Sequence, residues 1–404
     1  MIEVRPEFME KVMNVREYIR ESWDKSLRKE GHRLDGIRLP YCYNSPCADG
    51  LFDEFYYWDT CFINKGLLAD GKIQDALHNV LNMAFLIERY GFMPNAAVTG
   101  MLNRSQPPLF GMMVKDIFPY LDDNEEKERI VRALEREYLF WMKERILPCG
   151  LNRYGTNADR ETKLFMATEA ETRLDKNIDG DREKVGENIL AECESGWDFS
   201  PRFSHECTNY APVDLNALLY FYEDVLSKVS SCAHDREVYR KAAENRKERM
   251  QRYLYNGKIF TDAIPEKSFG IISAACAVPF VVGLTSDKSA LLVILQALEC
   301  ECGISACGQT SFDERSQWGY PNMWAPLVWF LYSALKKTSL NDEARRIGEK
   351  YLATVEKSFE KTGKLWEKYD AVTGRKATVN EYAETEMLGW TAGVYSVIYD
   401  ELNG

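Results

Sequence analysis

The chain has 404 residues, 45% of them hydrophobic and 12% aromatic, enough to bury a large core. Its 63 acidic and 51 basic residues leave a net charge of −12, which argues against nucleic acid or an anionic membrane surface as a main partner. No apolar run approaches the roughly 18–20 residues of a membrane-spanning helix, and the charged N-terminus lacks a signal peptide's apolar block. A cytoplasmic location is expected.

The pattern along the chain is mostly helical. "KIQDALHNVLNMAFLIERYG" places Ile73, Leu77, Val80, Leu81, Ala84 and Ile87 on one face and ends at Gly91. "PPLFGMMVKDIFPYL" follows, apolar nearly all round, and then "NEEKERIVRALEREYLFWMKERIL" opens acidic with Ile130, Leu134, Tyr138, Met142 and Ile146 on its stripe. "PVDLNALLYFYEDVL" is again apolar all round, whereas "DREVYRKAAENRKERMQRYL" is mostly solvated by its charge. "GKIFTDAI" resembles a strand. "MWAPLVWFLYSAL" is a third buried helix, followed by "NDEARRIGEKYLATVEKSFEKTG", with Asn341 as cap and Gly363 as stop. Buried helices alternating with one-sided ones imply an inner ring wrapped by an outer ring. No Gly/Ser/Pro-rich linker divides the chain, so residues 1–404 read as one all-α domain.

The 11 cysteines, an odd number without disulfide rhythm, read as reduced thiols. "CECGISAC" (Cys300, Cys302, Cys307) lacks paired C-x-x-C spacing and a nearby His, so buried thiols are expected there and no metal. "GLTSDKSA" and "GISACGQTS" lack the spacing of phosphate-cradling loops, and none of the four His completes a nucleophile pair. No cofactor is expected.

The segments ahead of the buried helices are dense in Trp, amides and carboxylates. They are "FDEFYYWDTCF", "MPNAAVTGMLNRSQPP", "ESGWDFSPRF", "RSQWGYPNMWAP", "LWEKYD" and "NEYAETEMLGW". Rings that stack on sugar faces, beside amides and carboxylates that bind hydroxyls, make a carbohydrate site. Phe52, Trp58, Trp197, Gln317, Trp318, Asn322, Trp324 and Trp390 are its candidate walls. Two carboxylates have aromatic neighbours, Asp198 between Trp197 and Phe199, and Glu367 near Trp366 and Tyr369. Glycoside hydrolysis needs one protonated acid and one ionised carboxylate, and apolar surroundings keep an acid protonated. Asp198 also fits a helix cap, and Glu367 a surface residue paired with Lys364 or Lys368.

"YYWDTCFINKGLL", "YGFMPNAAVTGMLNRSQPPLF", "ESGWDFSPRF" with "APVDLNALLY", "QWGYPNMWAPLVW", "WEKYD" and "EYAETEMLGWTAGV" together resemble the signatures of the trehalase family of inverting α-glycosidases, in the family's order. The resemblance spans about residues 52–400 and implies an (α/α)6 barrel. It places Asp198 on the general acid and Glu367 on the base that activates water. It places Trp58, Asp59, Asn95, Arg104, Ser105, Gln106, Gly196 and Glu381 on sugar-contacting positions. For Asp59 a helix cap is the alternative reading, and for Arg104 a core ion pair.

Departures from the family bear on the substrate. Leu51 stands where trehalases carry the Arg of Gly-Gly-Arg-Phe, and Gly319 where they carry the Asp of Gln-Trp-Asp. "EAETR" stands for Arg-Pro-Glu without an Arg in the matching place, and "GRKATVNEY" replaces a glycine-rich loop. Replacing Arg by Leu removes up to five N–H donors, so these losses are expected on the leaving-group side. Arg202, Arg315 and Arg375 remain nearby in sequence. The expectation is an inverting hydrolase of a small α-glucoside, with α,α-trehalase as the alternative. A non-catalytic sugar-binding barrel and a phosphorylase are rivals that the retained carboxylate pair disfavours. Oligomeric state is not legible in the sequence.

Overall fold

The computed structural model describes residues 14–29, 37–48, 52–175, 177–309, 316–377 and 389–404. Among these residues the helices run, in chain order, α1 (Val15–Ser26), α2 (Tyr57–Ala69), α3 (Ile73–Tyr90), α4 (Phe110–Ile117), α5 (Asn124–Glu144), α6 (Arg160–Leu174) and α7 (Arg182–Glu194). They continue with α8 (Val213–Val229), α9 (Ala233–Tyr253), α10 (Val278–Val281), α11 (Lys288–Leu298), α12 (Ala325–Lys337), α13 (Asn341–Thr362) and α14 (Gly389–Asn403).

Helices α2, α4, α8, α10, α12 and α14 pack each on the next, and α14 closes the ring on α2. Helices α1, α3, α5, α9, α11 and α13 pack against them from outside. Two rings of six helices are the (α/α)6 barrel that the resemblance implies. The alternation of helix types has its physical cause here. Inner α2 is buried without a break from Tyr57 to Asn64, and α8 from Val213 to Leu219. Outer α9 buries only Ala243, Arg246 and Met250, one narrow stripe. Ring closure depends on two small residues: a Cβ on Gly393 would sit 2.0 Å from the Phe62 carbonyl oxygen, and one on Gly66 2.6 Å from the Gly393 Cα.

Helix ends follow the sequence closely. α3 stops at Gly91 and α13 at Gly363, both left-handed, with φ of 88° and 66°. The cap of α13 falls one residue earlier than expected. Leu340 is the non-helical residue whose carbonyl accepts from Ala344 N–H at 3.0 Å, so Asn341 is already helical. "GKIFTDAI" contributes only Ala263–Ile264, paired antiparallel with Ser268–Phe269. Cys300 and Cys302 are half-buried and only Cys307 is buried.

The inner helices begin at one end of the barrel and carry Lys115, Lys228 and Lys336 in the last turns of α4, α8 and α12, complementing the negative end of the helix dipole. Between α5 and α8 the chain inserts the α6–α7 hairpin, whose own small core is Ala167, Ala170, Leu174, Val185, Ile189 and Phe199. Among the described residues no helix is long and apolar enough to cross a membrane.

Candidate active site

The segments preceding the inner helices are tied to one another by buried polar groups. Trp58 N–H, in the first turn of α2, donates to Gln106 Oε1 at 3.0 Å. The Asn95 amide donates to the carbonyls of Ser105 (3.1 Å) and Cys193 (3.3 Å). Glu194, fully buried at the end of α7, accepts two bonds from Arg145 at 2.8 and 3.0 Å. It also accepts from the backbone N–H groups of Gly155 at 2.6 Å and Ser105 at 2.9 Å. A buried carboxylate with four donors is satisfied, and it locks "NRSQPP" to "ESGWDF".

After Glu194 the chain turns sharply. Gly196 has φ 74°, and a Cβ there would lie 3.0 Å from the Trp58 indole, so only glycine fits. Phe199 takes φ 54°, costly for a bulky residue. Its carbonyl accepts from Ser316 Oγ at 2.8 Å, and its ring is buried in the α6–α7 cluster. Beneath the turn Arg202 is bidentate to Asp214 (2.9 and 2.8 Å) and to Asp262 (2.8 and 2.9 Å). Its guanidinium lies 4.5 Å from the Trp197 ring centroid. Asp198 therefore sits on a turn held from below by charge and from one side by packing. It caps no helix, since the next helical turn starts only at Cys207.

Glu367 comes from the segment before the strand Lys368–Asp370, which pairs antiparallel with Asn322–Trp324. Trp390 Nε1 donates to the Glu367 carbonyl at 3.0 Å and Thr391 Oγ1 to the Trp366 carbonyl at 2.7 Å. The start of α14 thus holds this segment. Glu367 is not a surface residue: it is 8% exposed, and Lys368 Nζ, itself buried, donates to its Oε2 at 3.3 Å.

Asp198 and Glu367 line one cavity of about 340 Å³ together with Phe52, Trp58, Asp59, Asn95, Arg104, Gln106, Gly196, Gln317, Trp318, Trp324 and Trp390. Its floor is aromatic. Trp318 and Trp324 stack at 3.7 Å and 3°, with Trp58 at 5.4 Å from Trp318 and Trp390 at 5.6 Å from Trp324. Burial raises the Asp198 carboxyl above the usual range, opposed by the charges of Arg104 and Arg173. Burial, with the Glu367 charge adding to it, pushes Asp59 up to about 7. Asp59 lies in the first turn of α2 and is not its cap, which is Tyr56. Arg104 makes no ion pair within the described residues; its Nη1 donates to Asn103 Oδ1 at 2.8 Å, and its buried Nε has no hydrogen-bond partner.

Three residues expected at the site, Ser105, Trp197 and Asn322, stand behind the wall. Ser105 is fully buried, with its hydroxyl donating to the Met93 carbonyl at 2.7 Å. Trp197 is sandwiched between Arg202 and Trp318. Asn322 is taken up by the strand pairing and by the Ser316 carbonyl at 3.4 Å. Leu51, Arg315 and Glu381 lie outside the described residues. Arg202 serves its two aspartates, and Arg375 is exposed.

The sequence reading missed Tyr56, Met101, Met166, Arg173 and Cys193, which also line the cavity. The arginine of "EAETR", although not in the matching place, reaches the pocket, with its guanidinium 5.5 Å from the Phe199 ring centroid. A signal was present: Met166, Ala170 and Arg173 share one face of α6 at steps of four and three.

A model of the trehalase family matches residues 7–403. The chain belongs to the trehalase family. Among its relatives are periplasmic trehalases of Xanthomonas campestris pv. campestris (strain 8004) and Salmonella choleraesuis (strain SC-B67). Each is 30% identical, with 94% of this chain and 72% of the relative covered. Neutral trehalase Nth1 from Saccharomyces cerevisiae superposes with a TM-score of 0.77 at 22% identity, covering 97% of this chain and 80% of that one. A GH63 mannosylglycerate hydrolase from Thermus thermophilus superposes at 0.64 and 13% identity, covering 96% and 100%. Both superpositions bear on the fold. Membership of the trehalase family makes the protein a glycoside hydrolase.

The expected cytoplasmic location is overturned by these relatives, which are named periplasmic. The start of a chain says nothing about a leader. The thiols do not discriminate either: Cys47, Cys61, Cys207, Cys276 and Cys307 are buried, hence shielded in any compartment.

Proposed function

We propose that this trehalase-family protein hydrolyses a small α-glucoside with inversion, Asp198 acting as general acid and Glu367 as general base, and that α,α-trehalose is its substrate. The observation that carries the reading is the pair of carboxylates in contrasting surroundings on one Trp-floored cavity. Burial raises the Asp198 carboxyl and so favours its protonated form, whereas Glu367 has an ammonium at 3.3 Å.

In the reaction Asp198 passes its proton to the glycosidic oxygen as the C1–O bond breaks. Glu367 takes a proton from the water that attacks C1 on the opposite face, which requires roughly 6.5–9.5 Å between the carboxyl groups. Trp58, Asp59, Asn95 and Gln106 line the same cavity, and Arg104 and Arg173 stand on the acid's side, near enough for their charges to act on Asp198. The presence of Arg173 supports trehalose, because a guanidinium offers hydroxyls on that side a fork of donors.

Proton NMR of a fresh trehalose digest tests the stereochemistry. Inversion releases one β-glucose from the cleaved side and one α-glucose as leaving group, in equal amounts; α-glucose alone would overturn it. Asp198→Asn and Glu367→Gln each lose roughly 10²–10⁴-fold in kcat on trehalose, the usual worth of a general acid or base. Near wild-type turnover by either variant would refute that residue's role.

A further inference from the structure

Lys368 is buried to 4% exposure, a costly position for an ammonium unless its hydrogen bonds are met. Its Nζ donates to Gln317 Oε1 at 2.8 Å and to Glu367 Oε2 at 3.3 Å, and lies 4.7 Å from the Trp324 ring centroid. Each of these partners is itself anchored. Lys368 pairs with Trp324 across the short antiparallel ladder, and Trp324 Nε1 donates to the Gln317 carbonyl at 2.9 Å. Trp390 Nε1 holds the Glu367 carbonyl.

We propose that Lys368 is a positioning residue for the hydrolytic step, its ammonium fixing the rotamer of the Glu367 carboxylate and the amide orientation of Gln317. The inference rests on the assignment of Glu367 as base. An unrestrained glutamate turns about three side-chain bonds, and a misplacement of about 1 Å at a reacting group is enough to cost 10²-fold. Lys368 removes that freedom from the strand side, while the α14 indole removes it from the backbone. The same ammonium decides what Gln317 offers the cavity. With Oε1 engaged by a cation, the amide presents its N–H2 end to substrate oxygens. A lysine serves both residues at once because its three N–H donors spread around a single compact charge.

The test uses the full chain with trehalose and with α-D-glucosyl fluoride, whose leaving group departs without a general acid and so isolates the base half of the reaction. Lys368→Met is expected to lower kcat on both substrates by about 10²-fold, with KM within about threefold. Lys368→Arg, which keeps the charge and donors, is expected to recover at least about a tenth of wild-type kcat. Placed in a Glu367→Gln background, Lys368→Met is expected to cost far less than 10²-fold, because the carboxylate it positions is gone and only its hold on Gln317 is left to lose. A Lys368→Met enzyme within about threefold of wild-type kcat overturns the proposal, as does an equal loss in the Glu367→Gln background. Should circular dichroism show the Met variant unfolded, Lys368→Gln, which keeps length and polarity, decides by the same criteria. Full activity in Glu367→Gln itself would remove the base assignment and this proposal with it, an outcome distinct from a silent Lys368→Met in an enzyme that Glu367→Gln inactivates.

Discussion

The indole N–H of Trp390, in the first turn of α14, donates to the backbone carbonyl of Glu367 at 3.0 Å. One inner helix thereby fixes the chain segment that carries a pocket carboxylate, and the closing contact of the barrel becomes part of the site. Trp390→Phe keeps a ring on the cavity floor but leaves that carbonyl without its donor. Thermal or urea unfolding should show a loss of about 1–3 kcal/mol, accompanied by a fall in kcat larger than the change in KM.

The pH profile should report Asp198. Burial raises this carboxyl, so the protonated form persists above the ordinary aspartic range of about 3.9 and the basic limb of kcat/KM moves up with it. Arg173 opposes that shift through its charge. Arg173→Gln is therefore expected to move the basic limb to still higher pH, measured on trehalose across roughly pH 4–9. A limb that stays put or moves down would contradict the placement of Arg173 beside the acid.

Glu137 offers a stability test away from the chemistry. It is buried between Tyr57 and Tyr222, whose hydroxyls donate to it at 2.6 and 2.7 Å, and burial pushes its carboxyl up to about 7. In the unfolded chain the value is about 4.3, so the folded state binds the proton more tightly. The stability tied to this group is whole below about 4.3 and is lost as pH rises through about 7. Glu137→Gln cannot ionise, and calorimetry from about pH 5 to 8 should show a flatter fall in Tm than in the wild type.

Gly196→Ala should be severe for a surface-sized change. The new methyl meets the Trp58 indole at 3.0 Å, and the φ of 74° is unfavourable for any residue with a Cβ. A loss of about 1–3 kcal/mol is expected. Activity should drop as well, because the displaced ring and turn both line the cavity.

The C-terminal end of α3 and the apolar stripe before it were legible because local periodicity and a left-handed glycine act over a few residues. The motif loops were legible as a group because their chemistry is unusual wherever they lie. Which loop residues face the cavity was another matter. Ser105 sits inside the same motif as Arg104 and Gln106, yet its hydroxyl turns away to Met93, a partner 12 positions earlier in the chain. Arg202 looked available for a ligand until Asp262, 60 positions later, closed over it.

By itself the sequence determined the alternation of one-sided and fully apolar helices, since burial of an amphipathic face is written in residue spacing, while the closure of those helices into two rings was read from the packing. It also placed Asp198 and Glu367 among aromatic residues. Only the tertiary structure decided that Arg173 enters the pocket, that Trp197 lies beneath its floor, and that Lys368 is a buried partner of Glu367. The reason is physical. The direction of a loop side chain and the loss of its water depend on groups brought from distant parts of the chain, and no local pattern encodes which of them will arrive.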